Sequence, residues 1–251
     1  MKKSLADIAT MGNGVCGLIA IFFIMGGRHM LASLLIFFAY SLDGLDGALA
    51  RRFGSAHRFG RYLDSFSDSI SFCLAPVMLF YANFHQNAFR TIQSSFLNFL
   101  VVASLCIFGV SGLIRLVRFV RKYHTLDCFR GFPLPLAAVS TIMMCSLLGP
   151  GDKNAFSFGY QPYAACVFIL FLSFIMTSKI GFPKIDRDFF LAALIGSPFV
   201  LLPFISAMFD VQILPSKTMG ILEASGFIPI LYYLFRGPFY QIKKSKKSAS
   251  I

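Results

Sequence analysis

The sequence predicts an all-α fold: a polytopic helical membrane protein of about eight transmembrane helices, with residues 1–251 forming a single integral membrane domain. Three observations predict it. The chain is 57% hydrophobic with a mean hydropathy of +0.72, where a soluble domain holds roughly 45–50% apolar residues. Its apolar residues gather into runs near the ~20 residues that one crossing requires. Its basic residues, which give a net charge of +12, cluster at alternate ends of those runs. A charge of this sign also suits nucleic acid, but the apolar runs make anionic lipid headgroups and phosphates the better partners, and nucleic-acid binding is not expected.

The expected spans lie near residues 11–27, 30–52, 61–83, 95–118, 133–149, 160–178, 188–209 and 219–236. Residues 1–10 form either a short amphipathic interfacial helix, with Leu5, Ile8 and Ala9 toward lipid, or a disordered leader. Lys2 and Lys3 before an apolar stretch give it the look of a signal peptide; a series of spans follows, so it is expected to be retained. Asn13 and Gly14 open the first span, where the Asn13 side chain either reaches a ligand headgroup or caps the helix. The second and third spans carry Gly44, Gly47, Ser65, Ser67 and Ser71, small residues that let membrane helices approach closely. Pro76 is expected to kink the third span.

The fourth span ends in Arg115, Arg118 and Arg121, which either anchor the helix end or offer guanidinium forks to a phosphate or carboxylate. The last two spans, with Gly196, Pro198, Pro203, Gly226 and Pro229, are the ones expected to kink or lie at the interface. The tail, 237–251, carries a KKSKK run that hugs anionic lipid, at ~1 kcal/mol per basic residue, or stays disordered. Six cysteines include no C-x2-C pair and read as small apolar residues, not as disulfides or a zinc site. There is no internal repeat. With the N-terminus inside, nineteen of the 23 Lys and Arg residues fall on the inner side, leaving Arg28, Arg90, Lys153 and Lys217 outside. This distribution predicts a multi-pass protein of the cell membrane with both termini cytoplasmic.

Chemistry concentrates in residues 43–68, DGLDGALARRFGSAHRFGRYLDSFSD. Asp43, Asp46, Asp64 and Asp68 lie beside or inside apolar runs, in a chain with only eleven acidic residues. A carboxylate facing hydrocarbon costs roughly 2.5–3.5 kcal/mol on insertion scales, so such acids turn inward and serve a function. The pairs are spaced i,i+3 and i,i+4, which puts each on one helix face. If the two helices turn near 53–59, Asp43 lies about 12 Å before Arg51 and Asp68 about 10 Å beyond Arg61, at ~1.5 Å rise per residue, so the pairs meet at similar depth. Four facing carboxylates suit a hard divalent cation such as Mg²⁺, Mn²⁺ or Ca²⁺; the alternative is a set of helix caps and interfacial charges. The basic residues put this cluster on the cytoplasmic side.

The run Asp43-x2-Asp46-Gly47-x2-Ala50-Arg51-x8-Gly60-x3-Asp64-x3-Asp68 resembles, without gap or substitution, the signature of the CDP-alcohol phosphotransferases. Further on, Ser69-Ile70-Ser71-Phe72 with Ala75-Pro76, then Arg115-Leu116-Val117-Arg118-Phe119, then Phe129-Arg130-Gly131-Phe132-Pro133-Leu134-Pro135 are similar to the phosphatidylserine synthase branch, which includes archaetidylserine synthases. Val120 and Phe132 stand where that branch usually carries Asn and Leu. The similarity covers roughly residues 10–180.

The resemblance implies a six-helix catalytic core over 11–180, two extra C-terminal spans over 188–236, and a homodimer. It implies transfer of a phosphatidyl-type group from CDP-diacylglycerol or CDP-archaeol to an alcohol, with release of CMP. In that scheme Asp43, Asp46, Asp64 and Asp68 bind the divalent cation, Mg²⁺ or Mn²⁺, and Asp68 is also the general base. Asp43, Gly47, Arg51, Gly60 and Asn13 would meet the CDP-lipid. L-serine is the expected acceptor, its carboxylate held by Arg118 with Arg115 or Arg130. Glycerol 3-phosphate or inositol phosphate is the alternative within the family, and a cation transporter the alternative outside it.

Overall fold

The computed structural model describes residues 2–53, 58–91, 95–119, 128–149, 160–183, 202, 216–235 and 237, and the side chains of most of them. Helix α1 (Lys2–Met25) runs unbroken through the leader and the first span. It breaks where Gly26 and Gly27 follow one another, Gly27 at φ +72°, and α2 (His29–Phe53) returns alongside it. The expected turn near 53–59 falls largely outside the described residues; beyond it α3 (Arg58–Asp68) leads into a π-helical turn (Ser69–Leu74) and then α4 (Ala75–Thr91). The widening has a local cause. Pro76 has no N–H to donate and its ring crowds the preceding turn, and the last bond before it runs from Ala75 N–H to Ile70 O, five residues back.

Helix α5 (Ser95–Arg118) packs along α7 (Gln161–Thr177), and α6 (Leu134–Leu148) touches α2, α4 and α7. Helix α6 is apolar on every side, as a central helix must be. Its two buried hydroxyls bond back to their own ladder, Ser140 to Leu136 O at 2.7 Å and Thr141 to Ala137 O at 2.9 Å, so neither is left unsatisfied in the core. Beyond α7, α8 (Ser216–Ser225) packs on α6, and residues 227–235 are helical after a turn at Gly226.

Among the described residues, four helical stretches are long and apolar enough to cross a membrane: Asp7–Met25, His29–Gly47, Gly60–Phe84 and Ser95–Arg118; α6 and α7 are shorter apolar helices. Six of the expected spans thus appear as helices. The seventh, 188–209, lies outside the described residues apart from 202, and the eighth is divided at Gly226, one of its expected weak points. Large apolar side chains point outward, Phe22, Phe99 and Phe174 each being at least 70% exposed, which in water would be a large sticky surface and in lipid is a matched one. Among the described residues the cysteines at 16, 73, 106, 145 and 166 are free thiols, as their apolar settings suggest.

One feature departs from an all-helical expectation. Strands β1 (Cys128–Arg130) and β2 (Gly181–Pro183) pair antiparallel, Phe129 opposite Phe182. The ribbon ends at Gly131, whose φ of +81° is left-handed, a conformation that a side chain makes costly. A Cβ there would run into the Met176 carbonyl. Gly131 N–H instead reaches Ile180 O at 2.9 Å, and the chain turns through Pro133 into α6.

Candidate active site

The acids sit where α1, α2 and α3 meet. Glycines on α1 allow the approach: a Cβ on Gly14 would lie 2.9 Å from Ser67 Oγ, and one on Gly17 would lie 2.7 Å from Ser71 Cα. Both helix surfaces are built of small residues at this crossing, the arrangement that lets membrane helices touch backbone to backbone.

Against that wall, one carboxylate oxygen each from Asp43, Asp64 and Asp68 lie within 4.8 Å of one another. Oxygens bound to one hard cation at about 2.0–2.6 Å are separated by no more than roughly 4–5 Å, so this triangle fits an ion's coordination sphere. Left bare, the three charges would repel by about 3 kcal/mol or more per pair at an effective dielectric of about 20. The donor set is all hard oxygen, which suits Mg²⁺, Mn²⁺ or Ca²⁺ and not a soft metal.

Asp46, one turn along α2 from Asp43, stands beside the triangle. It is 6% exposed, and its Oδ2 accepts a hydrogen bond from Thr10 Oγ1 at 2.7 Å. Asn13 lies one turn further along α1 and donates from Nδ2 to Asp68 Oδ1 at 3.1 Å. The Asn13 backbone carbonyl accepts from Ser71 Oγ at 2.8 Å, tying α1 to the π-helical turn. One face of α1 therefore orients an acid from each of the two acidic helices. Asn13 Oδ1 is fully buried and has no hydrogen-bond partner among the described residues, an acceptor that a ligand donor or a water could satisfy.

The remaining candidates divide by position. Arg115, on the last turns of α5, is half-buried and has Asp43 and Asp68 as electrostatic neighbours. Arg118, one turn on, is exposed and donates from Nη1 to Thr177 O at 2.8 Å, closing the C-terminus of α7; its other N–H groups are not engaged by that bond. Gly47 and Gly60 are half-buried on α2 and α3. Arg51 falls in the last turn of α2 and Arg130 in β1, but their side chains lie outside the described residues.

Sequence reasoning missed Thr10. Its only signal is its place three residues before Asn13, on the same helix face, and nothing local says that the face meets Asp46.

An acidic oxygen triangle carried by two membrane helices could hold a hard cation. The sequence profile of the CDP-alcohol phosphatidyltransferase family matches residues 3–181, and the chain belongs to that family. It is similar to the CDP-diacylglycerol–serine O-phosphatidyltransferase of Bacillus subtilis, 32% identical over 178 residues, covering 71% of this chain and 89% of that one. The protein of the same name from Methanocaldococcus jannaschii is 31% identical over 189 residues, 75% of this chain and 78% of its own. The archaetidylserine synthase of Methanothermobacter thermautotrophicus is 32% identical over 187 residues, 73% and 71% of the two chains.

Proposed function

We propose that the protein transfers a phosphatidyl-type group from a CDP-linked lipid to the hydroxyl of L-serine, releasing CMP and forming phosphatidylserine or its ether-lipid counterpart, archaetidylserine. The observation that carries the reading is the meeting of Asp43, Asp64 and Asp68 within 4.8 Å at the positions of the family signature. Serine as acceptor is supported by the names that similar bacterial and archaeal proteins bear. The same family membership sets the transporter alternative aside, and those names leave the phosphate-bearing acceptors without support.

A divalent ion, Mg²⁺ or Mn²⁺, held by Asp43, Asp46, Asp64 and Asp68 would supply charge neutralisation for the diphosphate and for the departing CMP. The rest falls to the chain. Serine's hydroxyl oxygen attacks the lipid-bearing phosphorus, the bond from that phosphorus to the CMP oxygen breaks, and Asp68 takes the hydroxyl proton. The Asn13 amide on Asp68 Oδ1 fixes that carboxylate's orientation. Gly47 and Gly60 leave room for the nucleotide, and Arg51 offsets phosphate charge. Arg118 and Arg115, with Arg130, hold the serine carboxylate, a planar anion that suits a guanidinium fork. The reaction takes place at the cytoplasmic face of the cell membrane, where the basic residues gather, in a homodimer with both termini on that side.

The test is label transfer. Purified protein given CDP-diacylglycerol or CDP-archaeol, Mg²⁺ or Mn²⁺ and radiolabelled serine should form labelled lipid and release CMP. Incorporation of glycerol 3-phosphate or inositol phosphate, with none of serine, overturns the assignment.

A further inference from the structure

The segment after α8 lies beyond residues 3–181 that the family profile matches, yet it closes the core around the ribbon of β1 and β2. Tyr233, in the helical run 227–235, is 1% exposed. Its ring stacks on Phe182 of β2 with centroids 5.5 Å apart and planes 15° from parallel, and meets Phe132 edge-on at 6.2 Å. Phe132 and Phe182 contact each other edge to face at 5.9 Å, distances at which aromatic rings attract. Gly237 closes on the same ring, since a Cβ there would lie 2.5 Å from Phe182 Cε1.

The ribbon in turn holds the end of α7. Phe132 N–H reaches Ile175 O at 3.3 Å, and Gly131 N–H reaches Ile180 O at 2.9 Å. Between those two anchored carbonyls lies Thr177 O, which accepts from Arg118 Nη1 at 2.8 Å. Carbonyls of a last helical turn have no partner within the helix, so their placement follows whatever closes that end. Here the closing element is the ribbon, and the rings of Phe132, Phe182 and Tyr233 fix the ribbon.

We infer that Tyr233 is a positioning residue for the acceptor site: its ring, through Phe182 and Phe132, fixes the end of α7 and with it the place of Arg118. The C-terminal segment is then a support of the acceptor subsite and not an appendage. The inference rests on the reading of Arg118 as an arginine that holds serine.

The experiment compares wild type, Tyr233→Leu, Tyr233→Phe, Arg118→Ala and the Tyr233→Leu, Arg118→Ala double variant in detergent. It measures kcat, the KM for serine, the KM for CDP-diacylglycerol and the thermal midpoint. Tyr233→Leu removes the stack and should raise the serine KM about fivefold, what one hydrogen bond is worth, with the CDP-lipid KM unchanged. Tyr233→Phe keeps the ring and should match wild type. In the Arg118→Ala background, Tyr233→Leu should raise the serine KM no further, because the group it places is gone. An unchanged serine KM in Tyr233→Leu, beside a raised one in Arg118→Ala, overturns the inference and leaves the function standing. An unchanged serine KM in Arg118→Ala removes that arginine from the acceptor site and the inference with it. A full further rise in the double variant, a Tyr233→Phe as impaired as Tyr233→Leu, or a rise in both KM values with a lowered midpoint each overturns it too. Should Tyr233→Leu fail to fold, Gly237→Ala, which presses one methyl against the Phe182 ring, must raise the serine KM selectively or the inference falls.

Discussion

Asp64 and Asp46 occupy different situations although both belong to the signature. Asp64 contributes an oxygen to the triangle, and Asp64→Ala should abolish CMP release while the protein still enters the membrane, since losing an intramembrane acid eases insertion. Retained turnover in membranes that contain the variant would contradict its place at the ion. Asp46 is oriented by Thr10. Groups that orient a metal's ligands typically account for 10–100-fold in affinity, so Thr10→Val should weaken Mn²⁺ binding by about that factor. Titration calorimetry on the purified variant reads this directly, and Thr10→Ser, which keeps the hydroxyl, should restore binding. Arg118→Ala should raise the serine KM more than the CDP-lipid KM. It should also lower the thermal midpoint slightly, because the bond to Thr177 O is worth about 1 kcal/mol. The four acids are legible in the sequence because their spacing is helical and their setting apolar. Thr10 is not, because a threonine in a membrane helix has many ordinary uses and its partner is 36 residues away.

At the scale of elements, the assembly depends on how closely α1 can approach its neighbours. Gly17→Val would place branched carbons against Ser71 and should part α1 from the π-helical turn, breaking the bond from Ser71 to the Asn13 carbonyl. Loss of activity together with a lowered midpoint is the expected result, measured on the same preparation. Gly131→Ala meets both a left-handed backbone and the Met176 carbonyl, and a destabilisation of at least about 1 kcal/mol is expected in a denaturation assay. The helices themselves can be read from hydropathy, the approach of Asp43 to Asp64 and Asp68 from the acid register, and the weak point of the last span from Gly226. The ribbon of β1 and β2 cannot. Its strands are three residues each and far apart in the chain, Cys128–Arg130 and Gly181–Pro183, so neither carries a periodic pattern of its own.

Across the whole molecule, the distribution of basic residues and the placement of the acids make one statement about sidedness. A reporter that is active only in the cytoplasm should be active when fused after Ile251, and activity confined to an exterior-reading reporter would reverse the proposed orientation. What hydropathy does not reveal is that the C-terminal run returns to the centre of the protein. Tyr233 reads in the sequence as one more aromatic in an apolar stretch, yet it is among the most deeply enclosed side chains. Burial of that kind depends on where a distant ribbon lies, and no window of sequence contains both.

The six residues Ser69–Leu74 wind as a π-helix, with more residues to the turn than an α-helix has. Each residue of an α-helix turns the chain by about 100°, so this surplus sets the azimuth of the acidic half, ending at Asp68, against the half beginning at Ala75. Deleting a single residue here would let the ladder close up into a plain α-helix. The result would be a membrane-embedded protein with every acid present, whose Asp64 and Asp68 face away from Asp43 and which no longer retains Mn²⁺.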